Sequence, residues 1–161
     1  MGEVYFYHIT QSEVDTTLAM LLRRARQAGW RVVVRGRDRT RMEALDQALW
    51  RGGDAAFLPH GLAGGPHDAL QPVLLTWAEA AQAQAPQEIQ AECLMTIDGA
   101  PVSPEQVATA QRVCVLFDGR DEAAQQQARQ QWRALTKGGC AARYWAQEDA
   151  SGKWVQKAQS Q

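Results

Sequence analysis

Hydrophobic residues in the first third of this chain alternate between the period of a strand and the period of a helix. Residues 4–9 are β-branched and aromatic, which predicts a strand. Apolar residues then recur at helical spacing over residues 14–25, and Gly29 is placed to end that helix. The continuous apolar run of residues 30–34 is typical of a strand that is buried on both faces.

A second helix follows, in which Met42, Leu45 and Leu49 face inward. Its cap is either Thr40, in a capping box with Glu43, or Asp38.

Two other helix starts carry capping signals. Ser12 with Asp15 resembles a capping box before the first helix, and Ser103 with Gln106 opens a short one. Further strands are predicted over residues 73–77, 94–97, 113–117 and 142–146, with a weaker one over 153–155 and a last helix over 121–137.

Strand, helix, strand and helix at these lengths indicate right-handed crossovers and a largely parallel sheet. We therefore predict a single α/β domain with a mostly parallel central sheet and helices on both faces, similar to mononucleotide-binding (Rossmann-like) folds. Residues 1–147 would form this domain, and residues 148–161 a variable C-terminal strand or tail. Residues 61–66 are expected to be a loop, and residues 78–91 an exposed connection.

Composition narrows the class of protein. A chain of 161 residues, 45% hydrophobic and 22% charged, can bury a core without disulfides or a structural metal. No apolar run approaches the roughly 20 residues that span a bilayer, and no signal-peptide pattern begins the chain. The three cysteines are far apart, which favours reduced thiols and a cytoplasmic location.

Charge is distributed unevenly although the net charge is only −1. Residues 1–53 hold nine Arg and six acids, whereas residues 54–117 hold one Arg and seven acids. A second basic group lies on the last helix. Two modest basic surfaces favour an acidic protein partner over a long nucleic-acid groove, so contact with DNA is expected to be indirect.

No motif for cofactor or metal chemistry is found. The glycine-rich residues 61–65 lack the Gly-Lys-Ser/Thr ending of a phosphate-binding loop, and the first strand is not followed by a dinucleotide fingerprint. His60, His67 and Asp68 match no metal-ligand spacing. We expect no cofactor, no metal and no catalytic residue. An enzyme or nucleotide-binding protein on the same fold remains the alternative from another class.

Two groups of aromatic residues are hard to explain as core alone. Trp50 closes a helix just before Gly52 and Gly53, with Phe57 and Leu58 beyond them, and these side chains form either core or an interface. On the last helix, Ala124, Ala128 and Leu135 centre the buried stripe. Trp132 lies about 60° from that centre and Arg129 about 120°, which predicts a half-buried ring beside a guanidinium.

The chain resembles the chi subunit family of bacterial DNA polymerase III. The residues that carry the resemblance most specifically lie within 45–63 and 117–133: Leu45, Asp46, Ala48, Leu49, Trp50, Phe57, Pro59, His60, Leu62 and Ala63, and then Arg129, Trp132 and Arg133. The resemblance implies a non-catalytic adaptor of the clamp loader.

The resemblance also implies two partner surfaces. The first would bind the small psi subunit through Trp50, Phe57, Leu58, Pro59 and His60, and a DNA-repair helicase is the alternative partner there. The second would bind the acidic C-terminal tail of single-stranded-DNA-binding protein, which ends in Asp residues, Ile-Pro-Phe and a free carboxylate. Its residues would be Phe117, Arg120, Gln125, Arg129, Trp132 and Arg133. Gln125 and Asp118 differ from the residues that some relatives place there.

Overall fold

A computed structural model describes residues 2–51, 60–63, 71–77, 91–148 and 151–160 of the chain. The strands in this part are β1 (Glu3–Ile9), β2 (Val32–Gly36), β3 (Gly61–Leu62), β4 (Val73–Trp77), β5 (Cys93–Thr96), β6 (Arg112–Asp118), β7 (Ala141–Gln147) and β8 (Trp154–Ser160). The helices are α1 (Val14–Gln27), α2 (Arg39–Trp50), α3 (Pro104–Thr109) and α4 (Glu122–Lys137).

These strands form one mixed sheet in the order β3-β4-β2-β5-β6-β1-β7-β8. Every neighbouring pair is parallel except β7 and β8, which are antiparallel. The first strand of the chain lies inside the sheet, where Phe6 is paired with Val115 of β6 and Tyr144 of β7. The predicted mostly parallel α/β architecture is therefore confirmed.

Helices cover both faces of the sheet. On one face, α1 and α2 bury Leu18, Leu22 and Leu45 against strand residues such as Leu116. On the other face, α3 and α4 bury their apolar side chains against a second cluster that contains Phe6, Val113, Val115 and Phe117. The carboxyl-terminal end of α2 and the length of α4 consequently lie on opposite faces.

The predicted cap of α1 is wrong. The helix begins at Val14 after Glu13, without a side-chain cap bond. Gln147 explains the difference, because its Oε1 accepts from the backbone N–H groups of Thr10, Gln11 and Ser12. Ser12 Oγ in turn accepts from Gln147 Nε2 at 3.0 Å, so the hydroxyl is used there.

Of the two candidate caps for α2, Asp38 is the one used, and it accepts from the backbone N–H of Arg41 at 2.8 Å. The capping box of Ser103 and Gln106 at α3 is confirmed. Gly61 and Leu62 form β3 where a loop was expected, because they pair with Leu74 and Leu75 of β4.

At the carboxyl end, β8 is longer than the predicted residues 153–155 and extends the same sheet. The division of the chain at residue 147 stays a prediction. The expected exposed connection, residues 78–91, lies outside the described residues except for its last position. Among the described helices, none is long and apolar enough to cross a membrane.

Candidate protein-interaction sites

Helix α4 presents a half-buried tryptophan between two exposed arginines. Asp121 caps the helix by accepting from the backbone N–H groups of Ala123 and Ala124. Ala128 and Leu135 are the buried residues of the helix, as its periodicity predicted. Trp132 is partly buried against the core, whereas Arg129 and Arg133 are exposed. The predicted half-burial of Trp132 is confirmed, and Arg129 lies three positions before it on the same helix.

A cluster of rings from three strands holds Trp132 in place. Its indole lies edge-on to Phe6 and Tyr144, with ring centroids 5.4 Å and 5.8 Å away. The same Tyr144 ring is stacked on Phe6 at 6.3 Å and lies 6.1 Å from Phe117. Edge-to-face pairs contribute about 0.5–1.5 kcal/mol each beyond their buried area, so the indole has a defined orientation.

Arg129 belongs to the same site through its charge. Burial raises the pKa of Tyr144, and the positive charge of Arg129 acts on that pKa in the opposite direction. The two groups are therefore close enough to interact, with Tyr144 OH also hydrogen-bonded to His8 Nδ1 at 2.8 Å. An exposed guanidinium beside a half-buried ring can receive an apolar side chain that carries a carboxylate.

The turn before α4 uses its polar groups internally. Arg120 Nε lies 2.9 Å from Asp118 Oδ1, and its terminal NH₂ group donates to the Ser12 carbonyl at 2.7 Å. These bonds with Arg120 hold the pKa of Asp118 below its usual value. Gln125 donates through Nε2 to the carbonyl of Gly119. Of the six residues predicted for tail binding, Arg120 and Gln125 are thus already bonded within the chain.

Two further features shape this turn. Phe117 is 5% exposed, so it supports the site from below and presents little surface of its own. Gly119 lies directly against the His8 ring, and a methyl group at that position would overlap the imidazole. A side chain larger than hydrogen at residue 119 would therefore displace His8 from its place beside Phe117 and Tyr144.

The second site lies at the end of α2. Trp50 is 50% exposed and is the large hydrophobic side chain that stands out as exposed in the described part of the chain. Its ring lies 4.3 Å from the ring of His60, at an interplanar angle of 36°. His60 is buried, with its Nε2 at 3.0 Å from Asp46 Oδ1 and 3.3 Å from the Asp46 carbonyl. Asp46 thus holds the His60 ring, which in turn lies against the Trp50 indole.

Trp50 is therefore not a core residue, and its place in an interface stays a prediction. Phe57, Leu58 and Pro59 were predicted for the same surface and lie outside the described residues.

Comparison with known proteins adds the family. The family model for the DNA polymerase III chi subunit, HolC, matches residues 1–143 of the 161 in the chain. The chain belongs to the DNA polymerase III chi subunit family. No curated protein matches the sequence significantly. Membership of the chi family supports a role as an accessory, non-catalytic component of bacterial DNA replication.

In this chi-family chain, three residues whose rings pack in this cluster could not be identified from local sequence patterns: Phe6, His8 and Tyr144. Each lies on a strand whose neighbours are set by the register of the sheet. Residue 6 is brought beside residues 115 and 144 only by that register, which no local pattern reveals. A weak signal was available, since strand alternation places Phe6 and His8 on one face of β1.

The cavity at the carboxyl ends of the parallel strands bears on the alternative of a nucleotide-binding protein. Open α/β sheets bind their ligands at this edge. The cavity there has a volume of about 280 Å³ and is lined by Asp98, Asp118 and Asp121 along with apolar groups of β6 and α4. Asp98 is ion-paired with Arg41 and Asp118 with Arg120. Asp121 already caps the amino-terminal end of α4, where a phosphate group would bind, so this cavity disfavours a nucleotide.

Proposed function

We propose that this protein is a non-catalytic bridge in DNA replication. Its α4 surface binds the C-terminal tail of single-stranded-DNA-binding protein, and its Trp50 surface binds the psi subunit and through it the clamp loader. DNA is then contacted only through the partner protein. Replication places the protein in the cytoplasm.

The observation that carries the tail site is the exposed Arg129 guanidinium beside the half-buried Trp132 ring. The tail ends in a phenylalanine with a free carboxylate, so its last residue combines an aromatic ring with a planar anion. Arginine binds such an anion through two parallel N–H bonds, a geometry that lysine cannot reproduce. Arg133, one turn further along the exposed side of α4, is placed to meet the preceding aspartates.

Arg129→Ala should weaken binding of a tail peptide about ten- to a hundredfold, because a charge-assisted bond at a partly exposed site contributes about 1.5–3 kcal/mol. Isothermal titration calorimetry with the peptide measures this loss directly. Arg129→Lys keeps the charge without the two-pronged donor and should recover only part of the affinity.

The matched control is Arg23→Ala, which removes an equally exposed arginine from α1 on the other face of the sheet. It should bind the peptide as the unmodified protein does, apart from a small loss of long-range attraction. Equal affinities for Arg129→Ala and Arg23→Ala would refute the tail site.

The psi surface is supported by the exposure of Trp50 and by the His60 ring that holds it from behind. Aromatic side chains of this kind contribute about 2 kcal/mol or more when an interface buries them. Trp50→Ala and Phe57→Ala should therefore each weaken capture of psi by more than tenfold in a pull-down or by calorimetry.

The two sites provide controls for each other. Trp50→Ala should bind the tail peptide normally, and Arg129→Ala should bind psi normally, because the residues lie on opposite faces of the sheet. If both Trp50→Ala and Phe57→Ala still bind psi, this surface is not the psi-binding site. If the protein captures a helicase in place of psi, the helicase is the partner at this surface.

A further inference from the structure

A cavity of about 120 Å³ lies on the α1 side of the sheet and shares no lining residue with either site described above. It is enclosed by the last turns of α1 and by residues near the amino-terminal ends of β2, β5 and β6. Its apolar surface comes from Leu21, Ala25, Met95 and the two buried cysteines, Cys93 and Cys114. The two cysteines lie on neighbouring strands, where Cys93 is paired with Arg112 and Cys114 with Met95.

The polar groups of this cavity are hydrogen-bond donors. Burial, with the neighbouring Cys114 thiol, raises the pKa of Tyr7, so its hydroxyl stays protonated. That hydroxyl also interacts with the charge of Arg112, and both residues line the cavity. The Tyr7 side chain is only 9% exposed, and its hydroxyl makes no hydrogen bond to another described residue, so it is available to a ligand in the cavity.

Arg112 is held in a fixed position with its N–H groups unused. Its guanidinium carbon lies 4.3 Å from the ring centre of Tyr5 and 5.2 Å from that of Trp30. Within the described chain, this guanidinium has neither a hydrogen bond nor an ion pair. Arg24 lines the same cavity from α1 and also has no polar side-chain partner there. Two cations thus face a space in which the other donor is a phenol.

Opposing charges are few. No lining residue of the cavity carries a carboxylate. Glu92 acts on the neighbouring Cys93 thiol, but its carboxylate already accepts from the backbone N–H of Arg31 at 2.7 Å. The negative end of the α1 dipole also points this way, and Arg24 and Arg26 in the last turn of the helix offset it.

We propose that this cavity binds a small organic carboxylate with an apolar body of about five to seven carbon atoms, on the scale of cavities that hold benzene. The carboxylate would accept from Arg112 and Tyr7, with Arg24 adding charge at the rim. The apolar body would lie against the thiols and Met95. Such a ligand supplies the acceptors that the cavity lacks and fills space that its own side chains leave empty.

Benzoate is a suitable probe, with benzyl alcohol as the uncharged molecule that has the same ring. Titration of the full chain, observed by saturation-transfer NMR and by calorimetry, should show saturable binding of benzoate. Binding of benzyl alcohol should be about tenfold weaker or more, because it lacks the charge-assisted bonds. If benzoate shows no saturable binding up to about 50 mM, the proposal is overturned. A dissociation constant of that size corresponds to a binding free energy of only about 2 kcal/mol.

Three variants and one control locate the binding. Arg112→Gln and Arg24→Gln should each weaken benzoate binding, the first by about tenfold. The control Arg23→Gln changes a neighbouring arginine that does not line the cavity and should leave benzoate binding unchanged. Ala28→Leu places a larger side chain at the rim and should abolish binding while thermal denaturation shows an intact fold. Should Arg112→Gln fail to fold, the other variants decide. Equal benzoate affinity in Arg24→Gln, Ala28→Leu and Arg23→Gln would place the ligand elsewhere and refute the site.

Discussion

Removal of the His60 imidazole tests how the Trp50 surface is supported. The His60 side chain is fully buried, and its partner Asp46 is only 13% exposed. His60→Ala therefore removes the contact with the Asp46 carboxylate, worth about 1.5–3 kcal/mol, and leaves a cavity beside the Trp50 ring. Water can reach Asp46 in part and reduces the penalty. We expect a loss of about 2–4 kcal/mol in the free energy of unfolding.

Urea denaturation measures this loss, and thermal denaturation should show a decrease of roughly 5–15 °C for a chain of this length. Asp46→Asn keeps an acceptor for His60 and should cost only about 1 kcal/mol. A double-mutant cycle with Asp46→Ala and His60→Ala should give a coupling free energy of at least about 1 kcal/mol. Additive effects in that cycle, or a change below about 0.5 kcal/mol for His60→Ala, would refute the proposed support of Trp50.

Two further predictions concern the turn before α4 and the start of α3. The pKa of Asp118 is lowered in the folded state, so its bond with Arg120 stabilises the protein above about pH 4 and is lost as the pH falls through the lowered pKa. Because Asp118 is 41% exposed, Arg120→Ala should lower the free energy of unfolding by less than about 1 kcal/mol at pH 7. A loss that is just as large at pH 2 would show that it does not come from the bond with Asp118. Ser103→Ala breaks the capping box of α3 and should cost about 1 kcal/mol in urea denaturation, and Ser103→Asp, which keeps an acceptor, should cost measurably less.

Sequence patterns predicted what depends on near neighbours along the chain. The helical period alone placed Trp132 at the edge of the buried stripe of α4, because that period is the same in every α-helix. It could not place Tyr144 beside Trp132, since the two residues meet only through the register of β7 with β1. The site was therefore predicted on one helix, and its strand half was missed.

The failed cap of α1 has a similar cause. Ser12 and Asp15 have the spacing of a capping box, but Gln147 bonds the backbone of residues 10–12 from 135 positions away. The tie between Thr40 and Asp38 was open because both residue types are good caps and nothing within the segment separates them. The cap of α1 is thus decided by a long-range partner, and the cap of α2 by the start of that helix at Arg39.

The placement of α2 and α4 on opposite faces of one sheet governs how a bridging protein would work. The described residues of the two faces form separate side-chain clusters, so the binding free energies of the two partners should add without coupling. The fraction of molecules that hold both partners is then the product of the two separate occupancies. Binding in the assembled complex is strengthened by effective concentration, because a partner that is already held confines the other to the same small volume. The strength of such a bridge is then set by the two separate affinities and by this effective concentration rather than by a conformational signal through the sheet.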